Sequence, residues 1–243
     1  MHDQDAFGNA LMACYRGETN TYHIERDDNY IEAGDLQRYF PGTAGFGDEL
    51  EQVALDLTQG RVLDIGCGAG KHALYLQEKE LDVLGIDVSP LALEVCRLRG
   101  LKKTKLLGIS QLDQLSDSSV DTVIMMGNNF GLFGSFANGR EYLKELLRVV
   151  SPEGRIVAVT SDPYTTTRSV HLAYHKFNLS RGRMAGQIRF RIRFENLIND
   201  WMDYLLASPS EVQAILQNTG WKLEQALPSV SGERFYLSVM VRE

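Results

Sequence analysis

Three glycines spaced two apart, Gly66, Gly68 and Gly70, follow the run Val62-Leu63-Asp64-Ile65, and a carboxylate closes a second run, Gly85-Ile86-Asp87, about twenty residues later. Glycine lets the backbone turn sharply off a strand and approach a ligand with no Cβ in the way. An acid ending the neighbouring strand can accept bonds from both hydroxyls of a ribose, and a charge-assisted bond of that kind contributes about 1.5–3 kcal/mol. The combination points to an adenosine-type cofactor. Nicotinamide enzymes use a similar turn and acid, but in their GxGxxG spacing a third glycine sits where a pyrophosphate meets a helix N-terminus, and here that position is Lys71. Asp64, just before the turn, suits a cofactor carrying an ammonium better than one carrying a diphosphate. Two other readings stay open at this level: a nicotinamide site, and a turn that only packs strand on helix.

A strand must deliver this turn and a helix must leave it. Arg61–Ile65 is a short, largely apolar run, and Ala73, Leu74 and Leu76 recur at helical spacing after Gly70. The alternation continues, with strands expected at Asp82–Ile86, Lys105–Ile109, Val120–Met126 and Arg155–Thr160, and helices at Pro90–Arg99 and Gly139–Val150. Such alternation means parallel strands joined by crossover helices. Val120–Met126 is nearly continuous in apolar character, as a strand covered on both faces should be. The expected fold class is therefore α/β, a doubly wound, mostly parallel sheet. A helix from Asp48, with Leu50, Val53, Ala54 and Leu57 on one face, precedes it and ends at Gly60.

After residue 161 the pattern changes. Ile188, Phe190, Ile192 and Phe194 alternate with Arg189, Arg191 and Arg193, the signature of an antiparallel strand with one wet face. Trp201–Leu206 is expected to pair with it across Asn199-Asp200. Ser208-Pro209-Ser210-Glu211 reads as a capping box with Pro at the first helical position. The helix it opens runs to Thr219, Gly220 ends it, and Trp221–Gln225 and Arg234–Val241 supply two closing strands. Residues 1–47, of mixed composition and weak helical periodicity, read as an N-terminal cap or lead-in. Residues 162–206 read as a small antiparallel, substrate-side insert within a single domain spanning 1–243.

Bulk properties bound the partners. At 243 residues, 44% hydrophobic and 23% charged, the chain sits near the average for a soluble globular domain. A net charge of −7 argues against holding nucleic acid mainly through phosphate neutralisation. Cys14, Cys67 and Cys96 show no CxxC spacing and no His-containing zinc pattern, so no metal site is expected and the usage fits a reducing compartment. With no basic start leading into an apolar run, and no long apolar stretch, the expectation is a cytoplasmic protein with neither signal peptide nor membrane span, and no membrane partner. Oligomeric state leaves no signal.

Val62-Leu63-Asp64-Ile65-Gly66-Cys67-Gly68-Ala69-Gly70, with Gly85-Ile86-Asp87-Val88-Ser89-Pro90, resembles motifs I and II of the class I S-adenosylmethionine-dependent methyltransferases. The likeness extends through Ser119-Val120-Asp121-Thr122-Val123, similar to that family's fourth strand, and through residues 143–155, similar to its following helix and fifth strand. It implies a seven-stranded sheet in the order 3-2-1-4-5-7-6 with strand 7 antiparallel, S-adenosylmethionine as cofactor and S-adenosylhomocysteine as its product. It further implies that Gly66, Cys67 and Gly68, in the turn completed by Gly70, line the methionine part. Asp64 would act through the turn on the amino group, Asp87 would hold the ribose and Val88 would lie against the adenine. One departure is visible: relatives often end the third strand with Gly-Asp, the acid bonding the adenine amine, whereas Gly108 is followed here by Ile109, leaving Ser110 or a backbone carbonyl to serve.

Methyl transfer is an in-line displacement at sulfonium with a good leaving group, so positioning can supply most of the catalysis, up to about 7–11 kcal/mol, and a general base is optional. In doubly wound folds the crevice lies outside the carboxyl ends of the strands, which selects the loops after Met126 and Thr160. Asn128 and Asn129 can orient an amine or hydroxyl there, or serve only as turn residues among glycines. Tyr164 is a pocket wall or a core residue. His171, Tyr174 and His175 share a helix face. They read as a substrate-facing pair of histidines, one accepting a proton, as structural or surface residues, or as a metal site lacking its third and fourth ligands. Arg181, Arg183, Arg189, Arg191 and Arg193 suit a carboxylate, a phosphate or RNA, or form a solvated sheet face. Tyr22, Arg26, Tyr30 and Tyr39 of the lead-in are placed to close over the cofactor. The expected acceptor is a small molecule methylated on O or N. RNA or protein as acceptor, and a non-catalytic S-adenosylmethionine-binding protein, are the competing readings.

Overall fold

The computed structural model describes residues 4–40, 49–229 and 234–243, so Asp48 and the flanking 41–47 of the lead-in lie outside the described residues. The described lead-in is structured. Helix α1 (Ala6–Tyr15) is capped by Asp5, whose side chain accepts from Gly8 N at 2.9 Å, and strands β1 (Thr21–Arg26) and β2 (Ile31–Asp35) follow as an antiparallel pair. The weak periodicity of α1 has a packing cause. Its contact face is built from small residues, Ala6, Gly8, Ala10 and Ala13, and a Cβ added at Gly8 would lie 2.3 Å from Ser89 Oγ.

Helix α2 (Glu49–Asp56) leads into the core, where strands and helices alternate: β3 (Arg61–Ile65), α3 (Lys71–Glu78), β4 (Asp82–Asp87), α4 (Pro90–Leu98), β5 (Thr104–Leu106), β6 (Val120–Met125), α5 (Phe136–Val149) and β7 (Val150–Ser161). After an intervening segment, which holds α6 (Ser169–Ser180), β8 (Gln187–Phe194), β9 (Leu197–Ile198) and β10 (Met202–Leu205), come α7 (Pro209–Leu216), β11 (Trp221–Pro228) and β12 (Phe235–Arg242). The sheet runs β11-β12-β7-β6-β3-β4-β5, with β12 antiparallel to both β7 and β11 and the other pairs parallel. This is the expected 3-2-1-4-5-7-6 order. Alternate strand residues serve opposite faces, as the period of two requires. Leu63, Ile65, Val123, Met125, Ile156 and Ala158 join the side closed by α5, α7 and Trp221, while Val62, Val83, Ile124, Val157 and Val159 join the side closed by α2 and α3.

Capping chemistry explains several boundaries. Ser89 caps α4 with Pro90 following, Ser135 starts α5 three residues before Gly139, and Ser208 and Glu211 form the capping box of α7. The third core strand is shorter than the expected Lys105–Ile109. It ends at Leu106, because Gly108 donates its N–H to the Gln111 side chain at 3.0 Å and opens a 3-10 turn over Ile109–Gln114.

The segment after β7 contains α6 (Ser169–Ser180), β8 (Gln187–Phe194), β9 (Leu197–Ile198) and β10 (Met202–Leu205). β8 pairs with β10 as expected, and on its other edge with β1, giving a second sheet in the order β10-β8-β1-β2. Ile192 and Phe194 turn inward with Leu11, Tyr22 and Leu36, while Arg191 lies opposite Glu25 across the strand pair. Among the described residues no helix is long and apolar enough to cross a membrane.

Candidate functional site

The glycine turn hangs on the neighbouring strand. Gly66 N and Cys67 N both donate to Ile86 O, at 2.9 and 3.1 Å, and the three glycines take φ of +73°, +53° and +79°. At Gly66 the requirement is doubly strict, since a Cβ would meet Asn129 Nδ2 at 2.7 Å and Leu132 Cδ1 at 2.8 Å. Asn129 is the staple of this turn. Its Nδ2 donates to Ile65 O at 3.0 Å and to Gly66 O at 2.8 Å, which places it with the turn residues.

Asp87 ends β4 directly beside the turn. Oδ2 accepts from Gly68 N at 3.0 Å and Oδ1 from Ser89 N at 2.9 Å. Burial pushes its carboxyl up, against the pull of these two N–H groups. Asp64 is more deeply buried, its Oδ2 has no hydrogen-bond partner among the described residues, and burial pushes its carboxyl up to about 6 with nearby His72 opposing. Cys67 contributes its backbone alone. Its Sγ faces the core, 3.9 Å from Cys96 Sγ, and Cys96 Sγ in turn lies 3.1 Å from Gly68 O. On the far side of Asp87, Val88 is 56% exposed, and a Cβ at Gly108 would lie 3.0 Å from Val88 Cγ1 and 3.9 Å from Ser110 Oγ, so the three share one edge.

These features fit the cofactor that the resemblance implies. A buried carboxylate oxygen without a partner suits an ammonium, an acid at a strand end suits ribose hydroxyls, and an exposed valine beside a glycine suits the flat face of a base.

The lead-in reaches this turn, and the later insert reaches the neighbouring loop after β6. Tyr39 Cδ1 lies 3.4 Å from where a Gly68 Cβ would be, and the Tyr39 hydroxyl is 3.1 Å from that of Tyr22. Phe7 packs edge-on against both rings. From the other segment, Tyr204 on β10 donates its hydroxyl to Asn128 O, its ring lying where a side chain at Gly131 would be. Burial raises the hydroxyls of Tyr22, Tyr39 and Tyr204 above the usual tyrosine value. Tyr204 carried no signal in the sequence beyond its place on an expected strand. The same holds for Asp5, which accepts from Ser89 Oγ at 2.7 Å and so ties α1 to the start of α4 beside Asp87.

The remaining candidates line an outer rim. Asn128, at φ +75°, accepts from buried Ser161 through Oδ1 at 3.3 Å. Tyr164 is 56% exposed, ruling out a core role. Its hydroxyl donates to Glu211 at 2.8 Å, and burial followed by that carboxylate pushes it up to about 12. His175 packs edge-on to Tyr164 with ring centroids 6.3 Å apart. His171 and His175 do share a face of α6, but His171 is taken by the lead-in. Its Nδ1 is 3.1 Å from Arg26 Nη1, Arg26 being stacked on Tyr174 and Tyr30 and paired with Asp28. Arg26 stands four residues along β1 from Tyr22, about 13 Å at 3.3 Å per residue, which puts His171 well away from the glycine turn. Burial lowers both imidazoles, and for His171 Arg168 and Arg26 add to the effect. No group of three His, Cys, Asp or Glu side chains among the described residues is placed to hold a metal ion.

Comparison with known proteins now has a geometry to meet. Residues 63–158 match the family described as a methyltransferase domain. An uncharacterised methyltransferase of Mycobacterium bovis is 31% identical over 118 residues, covering 49% of this chain and 46% of that protein. A demethylmenaquinone methyltransferase of Thermus thermophilus is 32% identical over 117 residues, covering 46% and 51%. The chain thus spans about half the length of the curated relatives it matches. A methyltransferase from Bacteroides fragilis, solved with S-adenosyl-L-homocysteine, superposes with a TM-score of 0.83 at 24% identity, covering all of this chain and 96% of that one, a likeness of fold that includes the second sheet's segments.

Proposed function

From the premise that residues 63–158 are a methyltransferase domain of the class I, S-adenosylmethionine-dependent type, we propose that this chain transfers a methyl group from S-adenosylmethionine to an O or N atom of a small molecule. The acceptor binds between the carboxyl ends of the core strands and the β10-β8-β1-β2 sheet. The observation that carries this reading is the tyrosine group: Tyr39 from the lead-in packs on Gly68 with Tyr22 bonded to its hydroxyl, and Tyr204 from the insert closes on Asn128 and Gly131, in the loop after β6 whose Asn129 staples that turn. Side chains packed this closely on and beside the turn favour a small acceptor over RNA or protein. The Thermus relative is named for a small-molecule substrate and supports the same class.

In this reading Gly66, Gly68, Gly70 and the Cys67 backbone hold the methionine part, Asp64 faces the amino group, Asp87 the ribose hydroxyls, and Val88 the adenine with Ser110 at its edge. When bound, the cofactor supplies an electrophilic methyl on sulfonium. The chain's own residues act by position. With their hydroxyls held protonated, Tyr22, Tyr39 and Tyr204 orient the acceptor through hydrogen bonds and do not deprotonate it. Asn128, oriented by buried Ser161, offers a further polar contact at the outer rim. His175, kept neutral by burial, is a basic group on that rim and can take the proton a neutral acceptor sheds, a contribution of about 10²–10⁴-fold where it is needed. Replacing His171 and His175 together is expected to lower turnover and leave cofactor affinity unchanged, read by steady-state kinetics beside calorimetry. Full activity in the double variant assigns both to structure.

Titration calorimetry with S-adenosylmethionine, and separately with NAD, on protein stripped of carried-over ligand tests the whole reading. Binding of the first alone, followed by its consumption with small-molecule acceptors, supports it. Binding of NAD or of neither, or consumption only with RNA or protein, overturns it.

Asp64 provides an independent check through pH. Its carboxyl titrates at about 6 in the free protein, above the ordinary carboxylate value, so it holds a proton at lower pH. An ammonium beside it favours the charged form and pulls that value down. Below about pH 6 binding therefore releases a proton, and affinity should rise with pH by up to about tenfold per unit and level off above pH 6. Asp64→Asn should flatten the profile, and a flat profile in the unsubstituted protein would remove Asp64 from the cofactor site.

A further inference from the structure

Between residues 163 and 194 the chain carries seven Lys and Arg and no Asp or Glu, although its net charge is −7. The second sheet absorbs much of this excess. Arg191 and Arg193 bind Glu25 at 2.8 and 2.6 Å, Arg191 also stacks on Trp201, and Arg183 pairs with Asp203. Of the other four, Arg189 stays on β8, and Arg168, Lys176 and Arg181 lie on or at the ends of α6. Its inner side is Tyr174 and Asn178, the latter donating to Ala185 O and Gln187 O. Its outer side exposes Leu172 (42%) and Leu179 (59%), and Phe177 is exposed on its flank beside Tyr174. Leu172 and Leu179 are seven residues apart and share a stripe, with exposed Lys176 between them and Arg168 one turn before. Arg181 lies on the Phe177 ring at 3.8 Å. The acids reaching this helix from other elements are all engaged, and one of them neutralises Arg181. Asp27 holds the Tyr174 hydroxyl and Arg181, Glu32 holds the Tyr30 hydroxyl, and Glu211 holds Tyr164 and Ser208.

We propose that α6 docks on an anionic lipid surface. Leu172 and Leu179 enter the headgroup region, and Arg168 and Lys176, on the same side of the helix, face the lipid anions. Charge selects this occupant. A second copy meeting through the same patch about a two-fold axis would set these cations against their own kind, with no acid in the stretch to pair with them. Nucleic acid would leave the two leucines without a partner, since its bases stack on aromatic rings. The expectation of no membrane partner rested on the lack of a spanning segment, and surface docking requires none. Because α6 follows the carboxyl end of β7, docking brings the acceptor side of the protein near the lipid.

Co-sedimentation with vesicles of phosphatidylcholine alone and of phosphatidylcholine mixed with phosphatidylglycerol tests the proposal. Binding is expected only to the anionic vesicles and should weaken with salt. Lys176→Ala should lower the partition about fivefold, the worth of one cation at such a surface. Leu172→Ser with Leu179→Ser should lower it at least tenfold, as removal of two inserted apolar side chains predicts. These side chains are exposed, and calorimetric titration with S-adenosylmethionine, expected to be unchanged in both variants, reads the fold and the cofactor site separately from docking. Equal binding to both vesicle types, or undiminished binding by the variants, overturns the proposal. So does a concentration-dependent dimer that the same variants abolish, which would give the stripe to a second copy.

Discussion

Asp87→Ala is expected to weaken S-adenosylmethionine binding at least tenfold, since tenfold corresponds to 1.4 kcal/mol and one charge-assisted bond contributes about 1.5–3 kcal/mol. The carboxylate works twice. Each oxygen already accepts a backbone N–H, from Gly68 and from Ser89, so the side chain sets the turn and the start of α4 before any ligand arrives. Its remaining lone pairs are what the ribose hydroxyls would use. Truncation leaves two buried N–H groups without an acceptor, each costing about 1–3 kcal/mol, so a fall in thermal stability should accompany the loss of affinity. Calorimetry alongside a melting curve separates the two effects. Asp87→Asn keeps the shape but must turn an NH2 toward one of the two N–H donors, so an intermediate affinity is expected. Unchanged affinity in both variants, with intact folding, would sink the ribose assignment.

Gly66→Ala should be among the most damaging single-methyl changes in the chain. At φ +73° an L side chain costs about 1–2 kcal/mol, and the added Cβ would press on Asn129 Nδ2 and Leu132 Cδ1 at under 3 Å, adding about 1–3 kcal/mol of overpacking. The sum, about 2–5 kcal/mol, corresponds to a fall in Tm of about 5–15 °C for a domain of this size. Asn129 is the group that must yield, and it holds the carbonyls of Ile65 and Gly66, so cofactor affinity should fall as well. Gly17 is the control. It has φ +77° but nothing within 4 Å of an added Cβ, so Gly17→Ala should show the backbone cost alone. Equal melting temperatures for the two variants would mean that the crowding at Gly66 relaxes freely.

The core of this protein was legible in its sequence because the signals there are local. Leu63, Ile65, Val123 and Met125 alternate with Val62 and Ile124 within single strands, the turn glycines lie two residues apart, and Ser208 marks a helix start within three residues of Glu211. Misplaced boundaries came from equally local competitors. The third strand stopped early because Gln111 captures the Gly108 N–H, and α5 began early because Ser135 caps it. Cys67 was legible as part of the turn, but not the direction of its thiol, which depends on Cys96 from another element lying beneath it.

What the sequence by itself determined was the doubly wound sheet, its strand order through the family likeness, and the Asp64, glycine-turn and Asp87 set, because backbone geometry and side-chain period speak within a few residues. Only the tertiary structure decided that the lead-in and the insert form one sheet. It also decided that Tyr39 packs on Gly68 with Tyr22 beside it while Tyr204 closes on Asn128, that His171 is held by Arg26, and that Arg191 and Arg193 face Glu25 while Lys176 of α6 faces outward. Glu25 and Arg191 are cross-strand neighbours although 166 residues separate them. Pairing over such a span is set by which edges meet once the core has folded, and neither periodicity nor composition along the chain encodes that meeting.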